Sequence, residues 1–103
     1  MKRALTVLAG LAAALPLVAA AQTPFANAGR DLAGSCAICH GTDGQSQAGM
    51  PVLAGQSKET LTRHMKDFRD GKRPGTIMPQ IAKGYTDAQI ETVSAFFAVQ
   101  KLK

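Results

Sequence analysis

Two cysteines, Cys36 and Cys39, stand three positions apart and are followed directly by His40, in the run Cys36-Ala37-Ile38-Cys39-His40. Thiols at that spacing near a helix end can form thioethers to the two vinyl groups of one porphyrin. The adjacent imidazole then falls beneath the iron, where it serves as an axial ligand. C-x-x-C-H is the attachment pattern of a c-type haem. Three other uses of these residues fit less well. A thioredoxin-like redox pair belongs in a βαβ context, which the sequence does not offer. A zinc site needs four ligands, and Cys36, Cys39, His40 and the distant His64 lack the usual paired spacing. A plain disulfide leaves His40 without a role. The expectation is one covalently bound haem c.

What such a haem does depends on its sixth ligand. A methionine thioether opposite histidine raises the potential and closes the iron to substrates, which gives electron transfer. An open site would permit ligand sensing or peroxide chemistry. Beyond residue 21 the chain has three methionines. Met65 falls in an apolar helical stripe and reads as core filler. Met50 is only ten residues past His40, a very short path to the opposite face of a porphyrin. Met78 lies 38 residues past His40 in a loop rich in proline and glycine, and is the expected ligand. Pro51 opens a Pro-Val-Leu-Ala-Gly stretch whose backbone carbonyl can accept the Nδ1–H of His40 and fix the ring, beside its plain role as a rigid turn. Tyr85 either packs near the haem, holds a propionate through its hydroxyl, or is an ordinary half-buried tyrosine. His64, among charged residues at helical spacing, reads as a surface or packing histidine. No carboxylate pair and no Ser/His/Asp arrangement is present, so the chain is not expected to be an enzyme by itself.

The rest of the chain must position these groups, and its composition bears on how. It has 103 residues, 46% hydrophobic, with a net charge of +5. The first 21 residues hold 16 of the hydrophobic ones, leaving 31 in the other 82, of which 19 are larger than alanine or cysteine. So thin a supply in a small domain calls for a staple such as a cofactor. Lys2 and Arg3, the apolar run from Ala4 to Leu15, Pro16 and then Ala19-Ala20-Ala21 have the three-part layout of a cleaved secretory signal. Cleavage is expected after Ala21 or Ala20. The alternative is a retained anchor, but the run is alanine-heavy and carries a proline. Residues 22–103 then form one exported domain, most simply periplasmic, with no membrane span after cleavage. Its net charge is +3, with no dense basic stripe interleaved with aromatics, which argues against a nucleic-acid binder. Arg63, Lys66, Arg69, Lys72 and Arg73 form either a solvated face or a docking surface for an acidic partner.

Three helices are expected, and no strands. Ala28, Leu32 and Cys36 share a face at i, i+4 and i+8, predicting a helix from Ala28 to Cys36 that Gly29 and Gly34 weaken. Ser57 is an N-cap for a helix with Leu61, Met65 and Phe68 on one stripe, ended by Gly71. Thr86 and Gln89 form a capping box for a last helix lined by Ile90, Val93 and Phe97. Residues 41–56 and 72–85 read as loops, long enough to wrap something.

Over residues 26–101 this order resembles the single-domain class I c-type cytochromes. The resemblance implies their all-α fold around one haem, with first and last helices crossing where Ala28 and Gly29 meet Phe96 or Phe97. It implies axial ligation by His40 and Met78, and the Pro51 carbonyl on the histidine. The runs Gly41-Thr42-Asp43-Gly44 and Met50-Pro51-Val52-Leu53-Ala54-Gly55-Gln56 look like the cytochrome c4/c553 group. Asp67 to Arg73, then Thr76-Ile77-Met78 and Ile81 to Tyr85, are similar to the cytochrome subunit of flavocytochrome c sulfide dehydrogenase. That likeness implies a periplasmic partner, an FAD-containing subunit that oxidises sulfide and passes on single electrons. A freely diffusing c553-like carrier is the alternative. The chain departs from the best-known form of that subunit, and from cytochrome c4, in having one haem motif instead of two.

Overall fold

Thr86 starts the helix on which the others are built. Its hydroxyl accepts from Gln89 N at 3.1 Å while the Gln89 side chain accepts from Thr86 N at 3.0 Å, so two otherwise orphaned backbone donors are satisfied together. The computed structural model describes residues 4–16 and 27–103. In chain order the helices are α1 (Ala28–His40), α2 (Lys58–Arg69), α3 (Met78–Ala82) and α4 (Asp87–Ala98), with a 3-10 turn at Thr42–Gly44. Among the described residues there is no strand, and no helix is long and apolar enough to cross a membrane. Residues 4–16 are exposed and carry no regular secondary structure. The cleavage site expected at residues 19–21 lies outside the described residues.

Two differences from the sequence expectation bear on the site. The first helix continues four residues past Cys36, so the whole C-x-x-C-H run is helical and His40 is its last residue. The stretch 72–85 is not loop throughout, because Met78–Ala82 forms a short helix. Its Pro79 reads as a breaker, but near a helix start proline is tolerated, since its missing N–H would have no intrahelical partner there.

α4 packs on both α1 and α2, and α3 packs on α2. Ala33 of α1, Leu61 of α2, and Val93 and Phe97 of α4 form the buried cluster, with Leu32, Cys36, Leu53 and Phe96 against it. Phe96 and Phe97 meet edge to face, their centroids 5.3 Å apart. Where α1 crosses α4, a Cβ built on Gly29 would lie 3.1 Å from Phe96 Cβ and 3.2 Å from Thr92 O. Neither atom is the free end of a flexible side chain, so neither can give way cheaply. Gly29→Val should therefore lower stability by about 1–3 kcal/mol, the usual cost of overpacking. Denaturant titration of the loaded protein measures it, and an unchanged midpoint would mean that the crossing is loose.

Gly44 closes the loop after α1. Its φ of 74° is left-handed, and an added Cβ would stand 2.8 Å from Leu53 Cβ and from Phe97 Cδ1. Its carbonyl accepts from Leu53 N at 2.9 Å and Ala54 N at 3.0 Å, and Gly55 N donates to Phe97 O at 3.0 Å. The next residue, Gln45, holds the C-terminus at two points. Its Nε2 donates to Lys101 O at 2.8 Å, and its Oε1 accepts from Lys103 N at 3.0 Å.

Arg69 ties the end of α2 to the start of α4, its Nη1 donating to Asp87 Oδ1 at 2.6 Å and its Nε to Asp70 Oδ1 at 3.2 Å. The Arg69 hydrogen bond first, then the charges of Lys66 and Arg69, hold the Asp87 carboxyl below its ordinary value. A carboxylate depressed by folding gives its full stabilisation above the ordinary value and loses it as pH falls through the folded one. The pair is exposed, so its contribution is small and salt-sensitive. In acid titrations the stability gap between the protein and Asp87→Asn should close as pH drops through the carboxylate range. A gap that persists in acid would assign the effect to something other than this charge.

Candidate functional site

The last turn of α1 presents the three residues of the motif in different settings. Cys36 is half-buried, Cys39 is exposed, and His40 is buried with 6% of its surface accessible. Burial pushes the Cys36 thiol above its ordinary value, and hydrogen bonds involving Ser35 and Tyr85 partly offset this. Cys36 is therefore a protonated thiol at neutral pH, with little of the thiolate that oxidises readily.

His40 is oriented by the following loop. Its Nδ1 lies 2.7 Å from Pro51 O. A carbonyl oxygen can only accept, so Nδ1 carries the proton and the Nε2 lone pair is left for a metal. The loop is shaped to deliver that carbonyl. Ser46 N donates to His40 O at 2.7 Å, and Ser46 Oγ donates to Met50 O, directly before Pro51. Asp43, Ser46 and Ala48 adopt φ values of 55°, 82° and 49°, unusual for residues with a side chain. Such strain persists only where surrounding contacts over-determine the backbone.

Met78 is the first residue of α3 and is half-buried. It arrives on a helix packed against α2, while His40 belongs to a helix packed against α4, so the two expected axial residues come from separate elements. Met65 lies on α2, half-buried, and Met50 lies exposed in the proline loop. Tyr85 is half-buried with its hydroxyl 3.0 Å from Ser35 Oγ, a contact between residues 50 positions apart that no sequence pattern announced.

His64 is on α2, and burial first, then Arg73 and Arg63, keep it below its ordinary pKa and neutral near pH 7. Arg73 itself stacks over Phe68, 5.2 Å from the ring centroid. Among the described residues no three His, Cys, Asp or Glu converge on a point, so Cys36, Cys39, His40 and His64 do not make a zinc site in this fold.

The donors present fit a covalent haem. Two thiols lie one helical turn apart, and a buried imidazole beside them has its ligating nitrogen free. Large apolar side chains are exposed next to these residues in sequence, Ile38 at 80% and Ile77 at 62%, with Met50 and Ile81 less so. Apolar surface of this kind is what a flat hydrophobic group would cover.

Comparison with known proteins points the same way. A family profile described as cytochrome c matches residues 26–100. The cytochrome subunit of sulfide dehydrogenase from Chlorobaculum tepidum is 42% identical over 69 residues, covering 67% of this chain and 63% of that one. Cytochrome c-554(548) from Halomonas halodenitrificans is 41% identical over 80 residues, covering 74% of this chain and 96% of that one. The solved cytochrome c4 of Acidithiobacillus ferrooxidans superposes with a TM-score of 0.63 at 34% identity, covering 71% of this chain and 49% of that one. The chain thus spans just under two thirds of the sulfide dehydrogenase subunit and about half of the solved cytochrome c4.

Proposed function

We propose, from the premise that this chain belongs to the cytochrome c family, that it carries single electrons on a low-spin haem held by His40 and Met78, and that its electrons come from an FAD-containing subunit that oxidises sulfide. The family's cofactor is covalently bound haem c, and its function is electron transfer. When bound, the haem supplies the one-electron couple. Cys36 and Cys39 anchor it as thioethers, which prevents its loss from a small exported domain. His40 offers Nε2, and Pro51 O strengthens that nitrogen by holding the proton on Nδ1. Met78 would supply its thioether sulfur as the second protein ligand to the iron.

The observation that carries this reading is the 2.7 Å contact from His40 Nδ1 to Pro51 O. It sets the tautomer that an axial histidine needs, directly beside the two thiols. Oxidation of sulfide would belong to the partner. The leader-like residues 1–21 support export and a periplasmic location.

Two observations bear on the partner. The 42% identity to a sulfide dehydrogenase cytochrome subunit favours the flavoprotein. The alternative is a freely diffusing carrier to a terminal oxidase or another redox protein, and the match over 96% of the Halomonas cytochrome shows that a chain of one such domain exists in the family. Gentle purification from the native host separates the two. A stoichiometric FAD protein that co-elutes and reduces the haem on sulfide addition supports the subunit reading. A lone monomer under the same conditions rejects it in favour of the free carrier.

A further inference from the structure

The contact between Ser35 and Tyr85 joins the two sides of the site. Ser35 directly precedes Cys36, on the helix that carries both thiols and His40. Tyr85 closes the segment that begins at Met78. Its backbone is fixed from both directions. Tyr85 N donates to Ala82 O at 3.1 Å and Gly84 N to Ile81 O at 3.0 Å, holding it on the end of α3. The capping box of α4 starts at the next residue. Tyr85 therefore reports the position of α3, and its hydroxyl meets Ser35 Oγ at 3.0 Å.

The polarity of the contact follows from proton counting. Ser35 Oγ also lies 3.2 Å from Leu32 O, to which it donates, while the Cys36 thiol points weakly at the same carbonyl from 3.9 Å. A serine hydroxyl has one proton. That proton goes to Leu32 O, so Tyr85 is the donor to Ser35 Oγ.

We infer that the Tyr85–Ser35 hydrogen bond is a clasp between the thiol-bearing helix and α3, and that it sets how firmly Met78 is held in place as sixth ligand. Ser35 and Tyr85 are positioning residues that act through Met78. This rests on the assignment of Met78 made above, and the test keeps the two claims apart.

The ferric loaded protein is titrated with imidazole, which competes with the methionine, while the far-red thioether–iron charge-transfer band is followed. Tyr85→Phe keeps the ring and removes only the hydroxyl. It should make imidazole bind about fivefold more tightly, the weight of one ordinary hydrogen bond. Ser35→Ala should match it, the double variant should go no further than either single one, and Ser35→Thr should restore the native affinity. In a Met78→Ala background, Tyr85→Phe should leave imidazole affinity unchanged, since no methionine remains to be released. Unchanged affinity in Tyr85→Phe, additive single effects, or an effect that survives in Met78→Ala would each overturn the clasp while leaving the ligand assignment standing. A native protein without the far-red band would overturn both.

Discussion

Replacing Met78 by alanine is expected to abolish the far-red thioether–iron band, open the iron to imidazole and small ligands, and lower the midpoint potential by on the order of 0.1–0.3 V. Axial ligands move haem potentials over a span of roughly 0.8 V, and exchanging a thioether for water or hydroxide covers a substantial part of it. The direction follows from ligand chemistry. The soft thioether favours ferrous iron, and its loss favours ferric. The three methionines lie on different elements. Met65 is half-buried on α2, among residues that build the helix interface. Met50 ends the loop that orients His40 from the histidine side. Only Met78 comes from an element on neither side of that loop. Met50→Leu and Met65→Leu should accordingly keep the band, and loss of the band in either would transfer the ligand role to that residue.

The second large effect concerns the cofactor as a structural part. Among the described residues the buried hydrophobic ones are Ala33, Ala54, Leu61, Ala82, Ile90, Val93 and Phe97, of which three are alanines. A core of that size cannot by itself offset the ordering of a domain this small. The double variant Cys36→Ser/Cys39→Ser removes both anchors without adding bulk. It should yield no haem that survives denaturing electrophoresis, and a chain whose helical circular dichroism falls by roughly half or more at room temperature. Wild-type protein produced without haem should look the same. A cofactor-free double variant with full helical signal and a cooperative thermal transition would show that the polypeptide folds unaided.

Much of this site is written in local patterns. The C-x-x-C-H run, the Ser57 cap and the Thr86–Gln89 box each depend on residues within a few positions of one another, and each is where its spacing puts it. The bond from His40 to Pro51 is legible from the proline-opened turn just past the motif, whereas the contact of Gly29 with Phe96 is legible only through family resemblance, because nothing in the local spacing pairs residues so far apart. Three features were hidden for physical reasons. α3 was masked by Pro79, since proline signals a break unless its place in the first turn is known. The Ser35–Tyr85 bond was masked because both residues are ordinary surface types whose meeting depends on how α3 and α4 are joined. The helix expected from sequence stops at Cys36 because the apolar i, i+4, i+8 pattern ends there, while the backbone stays helical to His40.

The hold of Gln45 on Lys101 and Lys103 gives the molecule a built-in handle. The segment 101–103 is fastened to the turn that follows His40, so a group attached there is held beside that turn. A gold-binding tag appended after Lys103 would tether the protein to an electrode through the Gln45 turn. Interfacial current in such a monolayer would then depend on how firmly that turn holds the segment, and Gln45→Ala, by freeing the tether, should broaden the distribution of transfer rates.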